Sequence, residues 1–488
     1  MEQLLPSCYN ILMLEFIKKF IPTKLFKALQ PPYHFLINLA AALWYRFPSR
    51  QLIVIGVTGT TGKTSVVYMI ARMLNSAGYK TGLTSTSVFS DGNREWLNDK
   101  KMTMPGRFFI QKLLRSMVKN NCRYAIVETT SQGIEQFRHL FINYDTLVFT
   151  GLYPEHIEAH GSFENYRAAK GKLFKHLKNC RTKYINDEHQ VTKPASQLKK
   201  LDLTRVLKTI IANGDDENAD YFLNFRAETK MAYTLNPQVS IVSLSNKLTG
   251  EAIIKDFTLV RGAEVEASGS GTKMTVDGQS VSLKLLGEFN SINALATAAV
   301  GINQKLSFAQ IKSGLEEIRG LAGKMEIINA GQDFTVIVDY AFEPEAMIKL
   351  YQTLEFLPHN KIIHLLGSTG GGRDKARRPI LGSLAAKYAD FIVITNEDPY
   401  DEDPASIINQ VATGVETAGK ELNKNLFKIF DRREAIKKAL ELAENGDLVL
   451  LTGKGAEQFI CVENGRKIPW DDREVVREEI VEKMCIDK

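Results

Sequence analysis

Seven consecutive residues, Thr58-Gly59-Thr60-Thr61-Gly62-Lys63-Thr64, have the makeup of a phosphate cradle. Glycines let a backbone wrap closely around an anion, and amides at the start of a following helix point at it. Lys63 would neutralise the outer phosphates of a nucleotide, and the Thr64 hydroxyl would hold Mg2+. The common form of this loop has a further glycine at position 57, where this chain has Val57, so the match is to the shorter pattern G-T-x-G-K-[ST]. Gly59, Thr60, Thr61, Gly62, Lys63, Thr64 and Ser65 are therefore the candidate nucleotide contacts. Glu128 ends an apolar run and is followed by Thr-Thr-Ser-Gln-Gly. A carboxylate in that place can reach a cation held by Thr64. Farther along come His156 and, 14 residues later, Lys170. By type alone, a loop histidine and a helical lysine are ordinary structural and surface residues.

Such groups work only if rigid elements aim them. Gln51–Val57 is a short apolar, β-branched run that reads as a buried parallel strand, and Ser65–Ala77 has helical apolar spacing. Tyr124–Val127 and Thr146–Phe149 are further buried strands, ending at Glu128 and at Thr150-Gly151. Strands that end in functional loops predict a doubly wound α/β sheet with its site at the strand C-termini. Between about residues 220 and 285, alternating segments such as Val239–Leu244 and Lys273–Val276, with Asn-Lys, Asp-Gly and Gly-Ser-Gly turns, predict antiparallel hairpins. Strands at Thr335–Val338, Ile362–Leu366, Phe391–Ile394 and Leu448–Leu451 predict a second, Rossmann-like α/β unit, with the boundary near Gly320–Gly323. The expected division is a helical segment over 1–48, broken at Pro22, Pro31, Pro32 and Pro48, then a central nucleotide-binding domain over 49–322 and a C-terminal domain over 323–488.

At 488 residues the chain exceeds what one hydrophobic core supports. The net charge of +6 suits anionic small substrates. No dense Lys/Arg block with interleaved aromatics is present, so nucleic acid is not an expected partner. Five scattered cysteines (Cys8, Cys122, Cys180, Cys461, Cys485), without CxxC spacing, argue against disulfides and zinc and point to a reducing cytoplasm. The apolar stretches Tyr9–Phe20, interrupted by Glu15, Lys18 and Lys19, and Phe35–Tyr45 fall short of the roughly 20 residues that span a bilayer. They read as amphipathic helices packing on the main body, with membrane-surface contact as the other use of such a face.

The combination of G-T-x-G-K-[ST], then E-x-x-S, then His156 ahead of the Y-x-A-A-K segment that ends at Lys170, resembles the Mur ligases. The resemblance runs on through Gly287-Glu-Phe289-Asn290-x-x-Asn293, Gly-Lys324-Met325-Glu326, Asp339-Tyr340-Ala341, Gly372-Arg373-Asp374, Gly453-Lys454-Gly455-Ala456-Glu457 and Trp470-Asp471-Asp472-Arg473-Glu474. It implies an ATP-dependent ligase that forms an amide through an acyl-phosphate, closest to the branch adding a diamino acid to a muramoyl-peptide. It also implies that Lys63, Glu128, His156 and Lys170 are catalytic, and that Thr64, Glu128, His156 and Lys170 serve two Mg2+ ions, with Lys170 carrying a carbamate. Asn290, Asn293 and Asp339 would contact the nucleotide, and Thr103, Ser131, Arg138, Arg373, Asp398 and Glu457 the other substrates. The chain departs from the family pattern at Lys324 for arginine, Phe342 and Ala456 for histidine, and Glu397-Asp398-Pro399-Tyr400 for D-N-P-R. The last change removes an arginine for a distal carboxylate, while Glu457 remains to hold a distal ammonium. Fewer residues precede the phosphate loop than is usual in the family, which implies that the UDP half of the acceptor is held differently or is absent. The alternatives are a folylpolyglutamate or polyglutamate ligase and a nucleotide-binding, non-catalytic partner in cell-wall synthesis.

Overall fold

The computed structural model describes residues 23–154, 160–186, 188, 190–192, 203–245, 257–372 and 375–486. Helix α1 (Thr23–Trp44) runs without interruption through Pro31 and Pro32, where breaks were expected. Its main body holds it: Asn38 Nδ2 donates to Gln136 O at 3.0 Å, the Phe35 and Phe141 rings lie 5.4 Å apart, and Ala41 and Ala42 are buried. Tertiary packing here outweighs the two missing backbone donors. Pro48 does end the segment, opening a short 3-10 turn. No described helix is long and apolar enough to cross a membrane.

The strands β1 (Ile53–Thr58), β2 (Thr81–Thr84), β3 (Val88–Ser90), β4 (Glu95–Leu97), β5 (Tyr124–Glu128) and β6 (Thr146–Phe149) alternate with the helices α2 (Lys63–Ser76), α3 (Arg107–Lys119), α4 (Ser131–Glu135) and α5 (Phe163–Leu177). The strands β7 (Lys183–Ile185), β8 (Val191–Thr192) and β9 (Thr204–Val206) form a small separate sheet. Next come β10 (Thr209–Asn213), β11 (Thr229–Thr234), β12 (Phe257–Ser268), β13 (Gly271–Val276) and β14 (Gln279–Leu283). Eleven strands join in the order β14-β13-β12-β11-β10-β6-β1-β5-β2-β3-β4. β1 lies inside this sheet, parallel to β5 and β6, with all six of its residues buried. Each fully buried Val or Ile contributes about 1.5–3 kcal/mol, which makes this strand a stiff mount for the loop that follows.

The region expected to form only hairpins is mixed. β10, β11 and the first half of β12 pair in parallel, and antiparallel pairing starts at Gly262. Val239–Leu244 is not a strand: Ile241–Ser245 is a helical turn. Ser240 and Ser243 each accept from the other's backbone N–H, at 2.9 and 3.0 Å, a local serine cap that outcompetes strand pairing.

Helices α6 (Phe289–Asn303) and α7 (Phe308–Glu316) cover α2 and lead to a second sheet. It comprises β15 (Glu326–Ile328), β16 (Thr335–Val338), β17 (Ile362–Leu366), β18 (Phe391–Ile394), β19 (Leu426–Lys428) and β20 (Leu448–Leu451), in the order β15-β16-β20-β17-β18-β19. All neighbours but β15 and β16 are parallel. The helices α8 (Pro344–Leu354), α9 (Arg377–Tyr388), α10 (Pro404–Thr417), α11 (Arg432–Glu441) and α12 (Asp472–Ile486) complete this α/β unit, with a hairpin of β21 (Phe459–Cys461) and β22 (Lys467–Pro469). The Asp-Asp-Arg-Glu segment braces it. Asp472 binds the buried Arg432 guanidinium at 2.8 and 2.6 Å and accepts from Trp470 Nε1 at 2.7 Å, while Arg473 reaches Glu326 at 3.4 Å.

Candidate active site

The phosphate loop starts where β1 leaves the sheet. Val57 still pairs with Glu128 and is buried, so the shorter pattern follows from a strand that continues one residue farther. Gly62 takes φ +78°, and a Cβ there would stand 2.6 Å from Asn293 Oδ1, so both backbone and space require glycine. α2 begins at Lys63, presenting first-turn N–H groups that have no acceptor within the helix. Thr150 and Gly151, at the end of β6, pin the loop: Thr150 Oγ1 donates to Thr61 O at 2.6 Å, and Thr60 N to Gly151 O at 2.8 Å.

Two lysines converge on the loop's carbonyls. Lys63 Nζ donates to Thr60 O at 2.6 Å, and Lys170 Nζ, from α5, donates to Gly59 O at 2.7 Å while lying 4.6 Å from the Tyr166 ring centre. Lys170 is buried rather than a solvated surface residue. Glu128, at the tip of β5 and 1% exposed, accepts from the Thr64 hydroxyl at 3.1 and 3.0 Å, one distance per carboxylate oxygen. It also accepts from Thr86 N at 2.8 Å and Thr86 Oγ1 at 2.9 Å. Thr103 joins this cluster through Thr86, 2.8 Å between hydroxyl oxygens.

A cavity of about 260 Å3 opens beside the loop, between the two sheets. Of the expected nucleotide contacts, Thr61, Gly62, Ser65, Asn290, Asn293 and Asp339 line it, with Phe289, Ile292 and Leu321 as apolar wall. Asn290 and Asn293 are tied together, Asn293 Nδ2 to Asn290 Oδ1 at 3.1 Å, and Asp339 is fixed by the Met325 and Ala341 amides at 2.7 and 2.6 Å. The acceptor-side candidates are more dispersed. Ser131 Oγ lies 3.1 Å from His160 Nε2. Arg138 is held by Met104 O and the Gln136 side chain. Asp398 and Glu457 meet in the C-terminal unit around Lys454 Nζ, at 3.0 and 2.9 Å. His156 and Arg373 lie outside the described residues.

Three groups join the constellation without having been singled out for it. Lys324 lines the cavity, its ammonium 4.7 Å from the Tyr340 ring centre. Burial pushes that ammonium below the usual lysine pKa, aided by Lys63 and opposed by Asp339 and Glu128. Charges from Lys63 on the loop, from Glu128 at the tip of β5 and from Asp339 after β16 therefore all act on one residue. His160 sits against Tyr166, ring centres 5.2 Å apart; burial lowers its pKa, Lys170 and Lys172 add to this, and Glu135 opposes it. Lys101, from the loop after β4, reaches across to Asp398 and Glu457. The sequence clue to Lys324 was its place inside a resembling motif; His160 and Lys101 had none.

The description "Mur ligase middle domain" matches residues 57–301, and "Mur ligase, glutamate ligase domain" matches residues 323–455. A UDP-N-acetylmuramyl-tripeptide synthetase of Roseiflexus sp. (strain RS-1) is 33% identical over 446 residues, covering 91% of this chain and 81% of the relative. A solved UDP-N-acetylmuramoyl-L-alanyl-D-glutamate–2,6-diaminopimelate ligase is 25% identical with a TM-score of 0.53, covering 89% of this chain and 79% of that one. A folylpolyglutamate synthase of Mycobacterium tuberculosis shares the fold, with a TM-score of 0.59 at 17% identity over 86% of this chain and 92% of its own. That last likeness concerns architecture alone, whereas the sequence kinship lies with the muramyl-peptide enzymes. With both of its α/β units matched and a third of its residues shared with a tripeptide synthetase along nine-tenths of its length, the chain belongs to the Mur ligase family of ATP-dependent ligases.

Proposed function

We propose that this ligase joins a diamino acid to the free carboxylate of a muramoyl-peptide, with ATP bound on the 58–64 loop and the acceptor carboxylate brought to its outer phosphate. The observation that carries this reading is a pair of grips, one on each unit, tied by the loop after β4: its Thr103 bonds Thr86 of the Glu128 cluster and its Lys101 pairs with Asp398 and Glu457. The phosphate loop and Glu128 stand on the central sheet, and the Asp398–Glu457 acid pair, suited to a distal ammonium, stands on the C-terminal unit.

Lys63 gives up Thr60 O for the terminal phosphate and spreads charge as the carboxylate attacks phosphorus. The α-amino group of the incoming amino acid then attacks the acyl-phosphate carbon, forming the amide and releasing phosphate. Asp339, Asn290 and Asn293 hold the nucleoside end, and Lys324 counters charge released on the phosphates. Thr103 on the loop after β4, Ser131 at the start of α4 and Arg138 just beyond that helix position the acceptor.

The donor set fits Mg2+: a buried carboxylate and a threonine hydroxyl lie within hydrogen-bond distance of each other at the foot of the phosphate loop. Thr64 and Glu128 would hold the ion, which supplies charge neutralisation for two anions brought together. A carbamate on Lys170 fits as well. It would replace a buried cation facing the loop by an anionic oxygen donor, and His156 would complete a second metal position.

Acceptor carrying isotopically heavy oxygen in its free carboxylate tests the chemistry. Transfer of one labelled oxygen into the released phosphate is expected, whereas label kept wholly in the product would refute an acyl-phosphate.

A further inference from the structure

The loop between β4 and α3 carries a lysine into the pocket where a distal ammonium belongs. Lys101 Nζ pairs with Asp398 Oδ2 and, at 2.6 Å, with Glu457 Oε2, and its side chain is 6% exposed. The acids have a second cation in Lys454, but that one is built in: it belongs to the same unit and also donates to Phe459 O at 2.6 Å. Asp398 further accepts from Cys461 N at 2.7 Å. The pocket therefore holds two carboxylates and two ammonium groups, with no net charge. Lys101 alone of the four comes from the central sheet's side of the cleft.

We propose that Lys101 is an internal occupant of the diamino-acid ammonium subsite, a tethered competitor that the incoming amino acid displaces and that thereby sets its affinity. The inference rests on the proposed amine subsite at Asp398 and Glu457. Three observations support it. A methylene chain ending in an ammonium is the same group a diamino acid presents. A third ammonium beside Lys101 and Lys454 would leave a buried charge unbalanced, which costs several kcal/mol, so the ligand and Lys101 exclude each other. Withdrawal is also favoured at this residue: Lys101 is held in a left-handed backbone conformation, φ +56°, which is strained for a non-glycine residue. Glu457 and Asp398 outweigh burial and hold the Lys101 ammonium well above the usual lysine range, while Lys454 and Lys101 hold Asp398 below the usual carboxylate range. The contact therefore persists through neutral pH, and it is opened by a competing cation rather than by titration. Thr103, two residues on, bonds Thr86 on the Glu128 cluster, so one loop touches both the ammonium subsite and the metal-side carboxylate.

The test is calorimetric titration of the whole enzyme with lysine, ornithine and meso-diaminopimelate, using norleucine as a neutral control, on wild type, Lys101→Gln and Lys101→Arg. A tethered side chain competes at millimolar effective concentration, so Lys101→Gln should bind its diamino acid about tenfold or more tightly, with norleucine unchanged. In turnover the gain should fall on KM rather than kcat. Lys101→Arg, which keeps the pairing and guards against a misfolded glutamine variant, should bind no better than wild type. Equal or weaker binding by Lys101→Gln, an equal gain for norleucine, or no diamino-acid binding to any of the three would overturn the inference. Tighter binding without turnover on a muramoyl-peptide would leave it standing and refute the proposed acceptor instead. Turnover with unchanged affinity would do the reverse.

Discussion

Glu128→Gln separates the fold from the chemistry. In the wild type, Oε2 accepts from the Thr86 backbone N–H at 2.8 Å and the Thr64 hydroxyl at 3.0 Å, and Oε1 accepts from the Thr86 and Thr64 hydroxyls at 2.9 and 3.1 Å. A glutamine has one oxygen and one NH2. The oxygen must face Thr86 N–H, because a backbone donor cannot turn round. The NH2 then faces the two hydroxyls, and each of these can rotate to accept. All the groups stay paired, and what is lost is the charge assistance, about 1 kcal/mol of stability in total. On the proposed role of Glu128 at Mg2+, losing the anion removes several kcal/mol of transition-state charge stabilisation, so activity should fall about 100-fold or more. The assays are urea unfolding and phosphate release across a Mg2+ titration. An unfolding loss above about 3 kcal/mol would refute the hydrogen-bond reasoning. Activity within about tenfold of wild type at equal Mg2+ would refute the metal role.

Lys170→Ala should remove most activity, with partial recovery on adding short-chain carboxylates if a carbamate is the working group; steady-state rates with and without acetate or propionate check this. Gly62→Ala forces a left-handed alanine against Asn293 Oδ1, costing about 1–2 kcal/mol plus a disturbed side-chain bond, and should weaken nucleotide binding about tenfold or more in an equilibrium titration. Lys324 has a lowered folded pKa, so its charge is present below that pKa and lost at a lower pH than for an exposed lysine. Nucleotide affinity should therefore fall as alkaline pH is reached, while the unliganded protein gains stability in the same window because its unfolded chain holds more protons. Lys324→Arg should abolish that alkaline rise in KM for ATP. Asp472→Ala leaves the buried Arg432 guanidinium without its carboxylate and should lower the unfolding free energy by about 3–5 kcal/mol, read by chemical denaturation.

Local signals were enough wherever one residue type at one spacing has one use. The strands Thr146–Phe149, Thr335–Val338 and Leu448–Leu451 were legible because buried parallel strands are continuous apolar runs with sharp ends, and so was the glycine turn from β1 into α2. Helix α1 was not, since its passage through Pro31 and Pro32 depends on a surface formed by residues near 136–141. The parallel pairing of β11 and β12 was also hidden, because register between strands is a tertiary choice that alternation does not encode. The same limit explains Lys101: a lysine in a polar loop is unremarkable until folding places Asp398, 297 positions away, against its ammonium. Resemblance could name Asp398 and Glu457 but could not show that the chain already fills the space between them.

The most direct measurement is phosphate release from ATP and Mg2+ with UDP-N-acetylmuramoyl-L-alanyl-D-glutamate, across lysine, ornithine, meso-diaminopimelate and neutral amino acids, with products read by mass. Release stimulated by one diamino acid is expected, with a product heavier than the acceptor by that amino acid less one water. Stimulation by neutral amino acids alone, or by none of the panel, would contradict it.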